Sequence, residues 1–185
     1  MKKYLITSRE FYTDTPAVFR KILHQQLITH LPDFVLYRDK FNPHYAVQAE
    51  HFVEVINQFE GIKSFIHEDY KLAEKLFATG VHLPSKAIDD IQKAKALNLE
   101  VIVSTHSYDE VLKAQELGAD YVTYSPIFST PNKGEPKGVD DLAELVSKVD
   151  INVFALGGII SDDEIKKVDE SGAYGFASIR YFYQD

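Results

Sequence analysis

Polar side chains that could bind an anion or move a proton follow short apolar runs in this sequence. His106 is the best acid–base candidate, because an unperturbed imidazole titrates near neutrality and can both take and return a proton. Gly157-Gly158 would let a ligand approach backbone N–H groups closely. Four cations also follow such runs: Arg38, Lys40, Lys133 and Arg180. Together they favour an anionic ligand, and phosphate suits the geometry of Arg and Lys.

The apolar runs themselves predict eight strands, over 4–7, 34–37, 64–67, 81–83, 101–104, 121–124, 153–156 and 176–179. Their near-continuous apolarity is typical of parallel strands that are buried on both faces. Helical periodicity between them predicts helices over 18–31, 45–59, 69–78, 86–97, 108–117, 139–148 and 162–170. Gly80, Gly118 and Gly172 each precede a strand, and we expect them to end a helix in the left-handed conformation.

Eight strands alternating with seven helices predict a compact (β/α)₈ TIM barrel that forms a single domain over 1–185, with the last helix truncated or missing. A doubly wound open sheet is the alternative. Because only six residues follow the last predicted strand, we expect Tyr181, Phe182 and Tyr183, a neighbouring subunit, or both to cover the flank between the first and last strands. In such a barrel the site is built at the carboxyl ends of the strands.

Composition excludes several classes of function. The chain has 20 Lys+Arg against 28 Asp+Glu, for a net charge of −8, which argues against nucleic acid as a partner. The absence of cysteine excludes disulfides, thiolate catalysis and Cys-ligated metals. No run resembles a signal peptide or a membrane span, so we expect no membrane partner and a cytoplasmic location.

Three histidines, His67, His82 and His106, fall at or beside neighbouring strand ends and could form a three-histidine zinc site. A zinc hydrolase is therefore one alternative. His82 lies inside its strand, however, so the simpler prediction is a buried histidine with satisfied hydrogen bonds. Ser104 and His106 would share a strand face, but their spacing alone does not establish a catalytic dyad.

The stretch VSTHSYDEVLKAQELGADYVTYSPIFSTPNKGEPKGVDDL, residues 103–142, and FALGGI, residues 154–159, resemble the thiamine phosphate synthase family, which includes thiazole tautomerases. The segments YLITSRE, LYRDK, FIHEDYKLA and GVHLPSKA extend the resemblance through the earlier strand ends. It implies a compact (β/α)₈ barrel and one of two activities. The synthase joins a pyrimidine pyrophosphate to a thiazole phosphate and releases pyrophosphate, using Mg²⁺. The tautomerase moves a proton to aromatise a thiazole phosphate carboxylate.

By motif match, the resemblance implies roles for nine residues. Those that would bind pyrophosphate are Arg38, Lys40 and Ser104. Thr130 and Lys133 match the flexible loop that closes over ligand. The backbone amides that would hold the thiazole phosphate belong to Gly157, Gly158 and Ile179. His106 matches the histidine that transfers the proton in tautomerases.

Several departures from the synthase pattern favour the tautomerase over the synthase. Leu36 replaces a glutamine, His67-Glu68 replaces Asn-Asp, and Ala87 replaces an aspartate that contacts the metal, although Lys86 could compensate in part. Because proton transfer needs only a phosphate anchor and one acid–base group, these departures favour a tautomerase-like isomerase with no cofactor and no protein metal ligands.

Two alternatives remain open. One is the synthase, which would require Mg²⁺. The other is a non-catalytic relative that binds a phosphorylated ligand, with Arg180 in place of a small serine. Under each interpretation we expect a phosphorylated small molecule as partner, and a homodimer is possible.

Overall fold

Eight parallel strands close into one barrel in the computed structural model, which describes residues 1–183. The strands are β1 Lys2–Ile6, β2 Phe34–Tyr37, β3 Lys63–His67, β4 Gly80–Leu83, β5 Glu100–Thr105, β6 Tyr121–Tyr124, β7 Asn152–Leu156 and β8 Gly175–Ser178. Each strand pairs with the next, and β8 closes the barrel against β1. The predicted (β/α)₈ barrel is therefore confirmed, while the end of the predicted domain, Gln184 and Asp185, lies outside the described residues.

Helices over the described residues are α1 Arg9–Tyr12, α2 Pro16–His30, α3 Tyr45–Ile56, α4 Tyr70–Lys75, α5 Ile91–Ala96, α6 Tyr108–Glu116, α7 Val139–Lys148 and α8 Asp162–Glu170. The single helix expected over 86–97 is instead a 3₁₀ helix, Ser85–Asp90, followed by α5, because Ala87 leaves the helical region at φ −104° and ψ 20°. α1 was not expected, since four residues are too few to show periodicity. None of the helices over 1–183 has the length and apolarity that crossing a membrane requires.

Alternating side chains divide the strands into an outer and an inner layer. The outer side chains, such as Leu5 and Val35, pack against the helices. The inner ones fill the barrel with aromatic rings: Phe34 lies 5.6 Å from Phe65 and 5.0 Å from Phe154 between ring centroids. Because this interior is packed solid, it leaves no room for a ligand inside the barrel, and in (β/α)₈ barrels the site lies at the carboxyl ends of the strands.

Two of the three glycine predictions are confirmed and one is wrong. Gly118 and Gly172 have φ of +91° and +80° and follow helices, as expected. Gly80 instead lies within β4, where an added Cβ would be 2.0 Å from the Glu100 carbonyl oxygen. Glycine is needed at this position because β4 and β5 approach so closely. After α4 it is Phe77, with φ 55°, that is left-handed.

A short 3₁₀ helix, Tyr181–Tyr183, replaces the last helix in the described part of the chain. Phe182 is fully buried and stacks on Phe176 of β8 at 5.5 Å, and Tyr183 stacks on Phe11 of α1 at 4.4 Å. These rings cover the flank between β1 and β8, as expected from the sequence. The homodimer stays a prediction.

Candidate active site

Two of the cavities formed by residues 1–183 open at the carboxyl ends of the strands. One, which we call the glycine cavity, has a volume of about 280 Å³ and is lined by the ends of β7 and β8 together with α1. The other, the cationic cavity, has a volume of about 590 Å³ and is lined by the segments that follow β2, β3 and β4. The site expected at the carboxyl ends of the strands therefore has two compartments.

The glycine cavity contains all the residues that the sequence assigned to a thiazole phosphate, with the loop threonine beside them: Thr130, Gly157, Gly158 and Ile179. Arg180 lines the same cavity and is therefore separate from the other three strand-end cations. Glu10 and Phe11 also line it; sequence analysis missed them because they lie on the unexpected α1.

The glycine pair is required by the close packing of the loop that follows β6. Gly157 and Gly158 have φ of +105° and +69°. An added Cβ at Gly158 would lie 2.6 Å from the Ser129 carbonyl oxygen. The N–H of Phe128 donates to the Gly157 carbonyl at 3.0 Å, so the β6 loop packs directly on the end of β7.

Replacing Gly158 by alanine should therefore destabilise the protein. We expect a loss of about 1–3 kcal/mol in the free energy of unfolding, since the new methyl group meets backbone in a left-handed conformation. Urea titration measures this change. Gly134→Ala is the matched control, because no atom lies within 4 Å of its added Cβ, and equal stability of the two variants would contradict the close packing described above.

Three other cations act on Lys40 at the cationic cavity. Lys40 lines it together with Lys86. The pKa of Lys40 is lowered chiefly by the charge of Arg38 and then by burial. The charge of Glu68 opposes this shift, and the charges of Lys86 and Lys133 add to it. Four cations therefore act at this end of the barrel although the whole chain carries −8, beside the carboxylates of Asp39, Glu68 and Asp69. A group of cations of this kind attracts anions.

Arg38 is half-buried, and burial lowers the pKa of its guanidinium. Within residues 1–183 no carboxylate pairs with it. Arg9, by contrast, donates from Nε to both carboxylate oxygens of the buried Asp39 at 3.1 Å. Because a desolvated charge without a counter-ion is unfavourable, an anionic ligand would stabilise Arg38 directly.

A hydrogen-bonded chain of three polar side chains lies beneath the mouth. His82 is 3% exposed, with Nδ1 2.7 Å from the Tyr4 hydroxyl and Nε2 2.8 Å from Ser104 Oγ. Burial lowers its pKa to about 3, so it is neutral at physiological pH. The prediction of a buried, satisfied histidine is confirmed, and Ser104 is engaged with it.

His67 and Tyr45 line the cationic cavity beside this chain. The pKa of His67 is lowered to about 4, first by burial and then by the charge of Arg38. The N–H of His67 donates to the Tyr45 hydroxyl at 3.0 Å, and that hydroxyl also donates to the Tyr37 carbonyl at 3.0 Å. Sequence analysis gave Tyr45 no functional role, since it only begins a predicted helix.

His106 lies apart from the other candidate residues. Its side chain is 51% exposed, with Nδ1 3.5 Å from Glu110 Oε2, and it is not among the described residues that line either cavity. The chain turns toward α6 after Thr105, so Ser104 contacts His82 and the possible Ser104–His106 dyad is not formed. Within residues 1–183, no group of three or more histidine or acidic side chains could hold a metal ion, so the zinc-hydrolase alternative lacks its ligands.

The fold and these cavities define a class of protein, a compact (β/α)₈ barrel with polar cavities at the carboxyl ends of its strands. A family model described as thiamine monophosphate synthase matches residues 3–182. The chain belongs to this family, as its motifs indicated.

Individual relatives agree with the family assignment. A relative in Aquifex aeolicus (strain VF5) that carries a thiamine-phosphate synthase name is 38% identical over 122 residues, 64% of this chain and 65% of that protein. The thiamine-phosphate synthase of Shouchella clausii (strain KSM-K16) is 29% identical over 177 residues, 92% of this chain and 82% of that protein. The solved thiamine phosphate pyrophosphorylase of Pyrococcus furiosus has a TM-score of 0.83 at 26% identity, covering 96% of this chain and 85% of that one. The matched stretches thus cover 65% and 61% of the length of the first two curated relatives.

Proposed function

We propose that this chain is a transferase of the thiamine phosphate synthase type, which joins a pyrimidine pyrophosphate to a thiazole phosphate and releases pyrophosphate. The observation that carries the proposal is the presence of two separate cavities at one barrel mouth. One offers backbone amides beside Gly157 and Gly158. The other is lined by Lys40 and Lys86, and the charges of Arg38 and Lys133 also act on Lys40. Two phosphorylated substrates require two such anion sites, whereas a tautomerase acting on one phosphate requires only one.

The sequence favoured the tautomerase, and two findings now weigh against that preference. The relatives are named as synthases, and His106, the expected proton-transfer residue, lies outside both cavities. The departures at Leu36 and Ala87 remain, so the tautomerase stays a second candidate with its own assay.

In this proposal each cavity has a distinct chemical role. As the bond to pyrophosphate breaks, negative charge accumulates on the leaving group, and Arg38, Lys40 and Lys86 would stabilise it electrostatically. The loop after β6 would connect the two substrates. Thr130 lines the glycine cavity, while Lys133, three residues further, acts on Lys40 of the cationic cavity. Holding both substrates at one mouth converts a bimolecular reaction into one between aligned groups.

The direct test is to incubate the purified protein with both synthase substrates, with Mg²⁺ and separately with EDTA. Chromatography should show one pyrophosphate released for each thiamine phosphate formed. The His106→Ala variant should retain this turnover. A parallel assay with the thiazole phosphate carboxylate, followed by NMR, measures isomerisation. Isomerisation alone, lost in His106→Ala, would establish the tautomerase instead, and binding without either reaction would establish a non-catalytic relative.

A further inference from the structure

The carboxylates around the cationic cavity are a poor fit to the Mg²⁺ that the synthase resemblance implies. Mg²⁺ demands near-octahedral oxygen coordination and is usually held by one or two carboxylates plus phosphates. Asp39 is occupied by Arg9, as described above. Asp69 caps α4 and accepts a hydrogen bond from the Leu72 N–H at 2.9 Å. Glu68 faces a cation instead of an open metal position.

That cation is Lys86. Its Nζ lies 3.5 Å from Glu68 Oε1, and both side chains line the cationic cavity. Glu68 is held in place by its backbone, which has φ 68° and donates its N–H to the His82 carbonyl at 2.9 Å. The next residue along from Lys86 is Ala87, which offers no carboxylate for a metal. An ammonium group therefore lies where the family pattern places metal-binding chemistry.

The charges at this cavity favour a polyanion without any metal ion. Arg38, Lys40, Lys86 and Lys133 contribute positive charge, and the negative charge of Asp39 is compensated by Arg9. The carboxylates of Glu68 and the helix-capping Asp69 are the two remaining negative charges. The four positive charges therefore exceed the negative ones. An ammonium is a compact point charge with three donors, which suits a phosphate oxygen.

We propose that the cationic cavity binds pyrophosphate without a divalent cation, with the Lys86 ammonium, positioned by Glu68, supplying positive charge that Mg²⁺ would otherwise supply. The proposal rests on the proposed function in that pyrophosphate is the leaving group of that reaction. Lys86 would exchange part of its contact with Glu68 for the ligand, since its side chain is 76% exposed.

Calorimetric titration of the full chain with inorganic pyrophosphate, in EDTA and in Mg²⁺, tests this proposal. Binding should occur in EDTA and should not strengthen when Mg²⁺ is added. Lys86→Gln should weaken binding in EDTA about tenfold, the order expected for losing one hydrogen bond to a charged group. Lys75→Gln is the matched control and should bind as the wild type does, because this exposed lysine ends α4 at the other end of the barrel. Circular dichroism of each variant establishes that it is folded.

A reciprocal variant tests the same idea by gain of function. Lys86→Asp replaces the ammonium by a carboxylate at a position that lines the cationic cavity, so pyrophosphate binding should become dependent on Mg²⁺. Pyrophosphate binding by the wild type only in Mg²⁺, or unchanged binding by Lys86→Gln in EDTA, would overturn the proposal. Pyrophosphate binding in EDTA without formation of thiamine phosphate would refute the proposed function and leave this inference standing. Thiamine phosphate synthesis with pyrophosphate binding only in Mg²⁺ would support the proposed function and overturn this inference.

Discussion

Arg38→Met should lower kcat/KM for thiamine phosphate formation by about 100- to 1,000-fold, the range found when one preorganised electrostatic contact to a developing charge is removed. The free energy of unfolding should not fall, because the variant removes a half-buried charge that pairs with no carboxylate within residues 1–183. This combination of large functional loss with unchanged stability separates a ligand-binding arginine from a structural one. Steady-state kinetics and urea titration measure the two quantities.

Two further variants serve as controls for Arg38→Met. Arg38→Lys keeps the charge but loses the planar fork, so its kcat/KM should be intermediate. Arg20→Met removes an arginine on α2 that pairs with Glu54 at 2.6 Å, away from both cavities, and should leave kcat/KM unchanged. A loss of stability in Arg38→Met with normal kinetics would assign Arg38 a structural role and contradict its place in the site.

Acidification should destabilise the protein well above the pH at which carboxylates titrate, because of His82. Its folded-state pKa of about 3 lies below the unfolded value of 6.5, so below pH 6.5 the unfolded chain binds a proton that the folded chain does not. The stability is therefore complete above pH 6.5 and is lost progressively as the pH falls toward 3. From pH 7 to pH 5 we expect His82 to account for a loss of roughly 2 kcal/mol.

His67 should add to this effect in the same direction, because its pKa is lowered to about 4. Urea titrations at pH 7, 6 and 5 measure the slope. His82→Gln, whose amide can still bond to Tyr4 and Ser104, should show a slope shallower by about one proton, or roughly 1.4 kcal/mol per pH unit. Equal slopes for wild type and His82→Gln would disprove the neutral buried state of His82.

Much of the fold could be predicted because its signals are local. Strands buried on both faces appear as short apolar runs, and the predicted bounds 34–37 and 121–124 match β2 and β6. The left-handed glycine rule succeeded at Gly118, where it depends only on the end of a helix. It failed at Gly80, where the approach of β5 decides the need for glycine and no local signal reports it.

The candidate site could be predicted only in part, for the same reason. Residues at strand ends, such as Arg38 and Gly157, follow from strand position alone. Their partners do not, because register between neighbouring strands decides which side chains meet. Ser104 contacts His82 across the β4–β5 pair, and no spacing within β5 could indicate that His106 would turn away.

The sequence by itself determined the (β/α)₈ barrel, the family and the strand-end residues, since hydrophobic periodicity and motif spacing are written along the chain. Only the tertiary structure decided that these residues divide between two cavities, that Arg180 lies apart from the other cations, and that Lys86 faces Glu68. Those contacts depend on strand pairing, which places β8 beside β1 and the end of β3 beside the end of β4. They also depend on the sum of packing interactions over the whole chain.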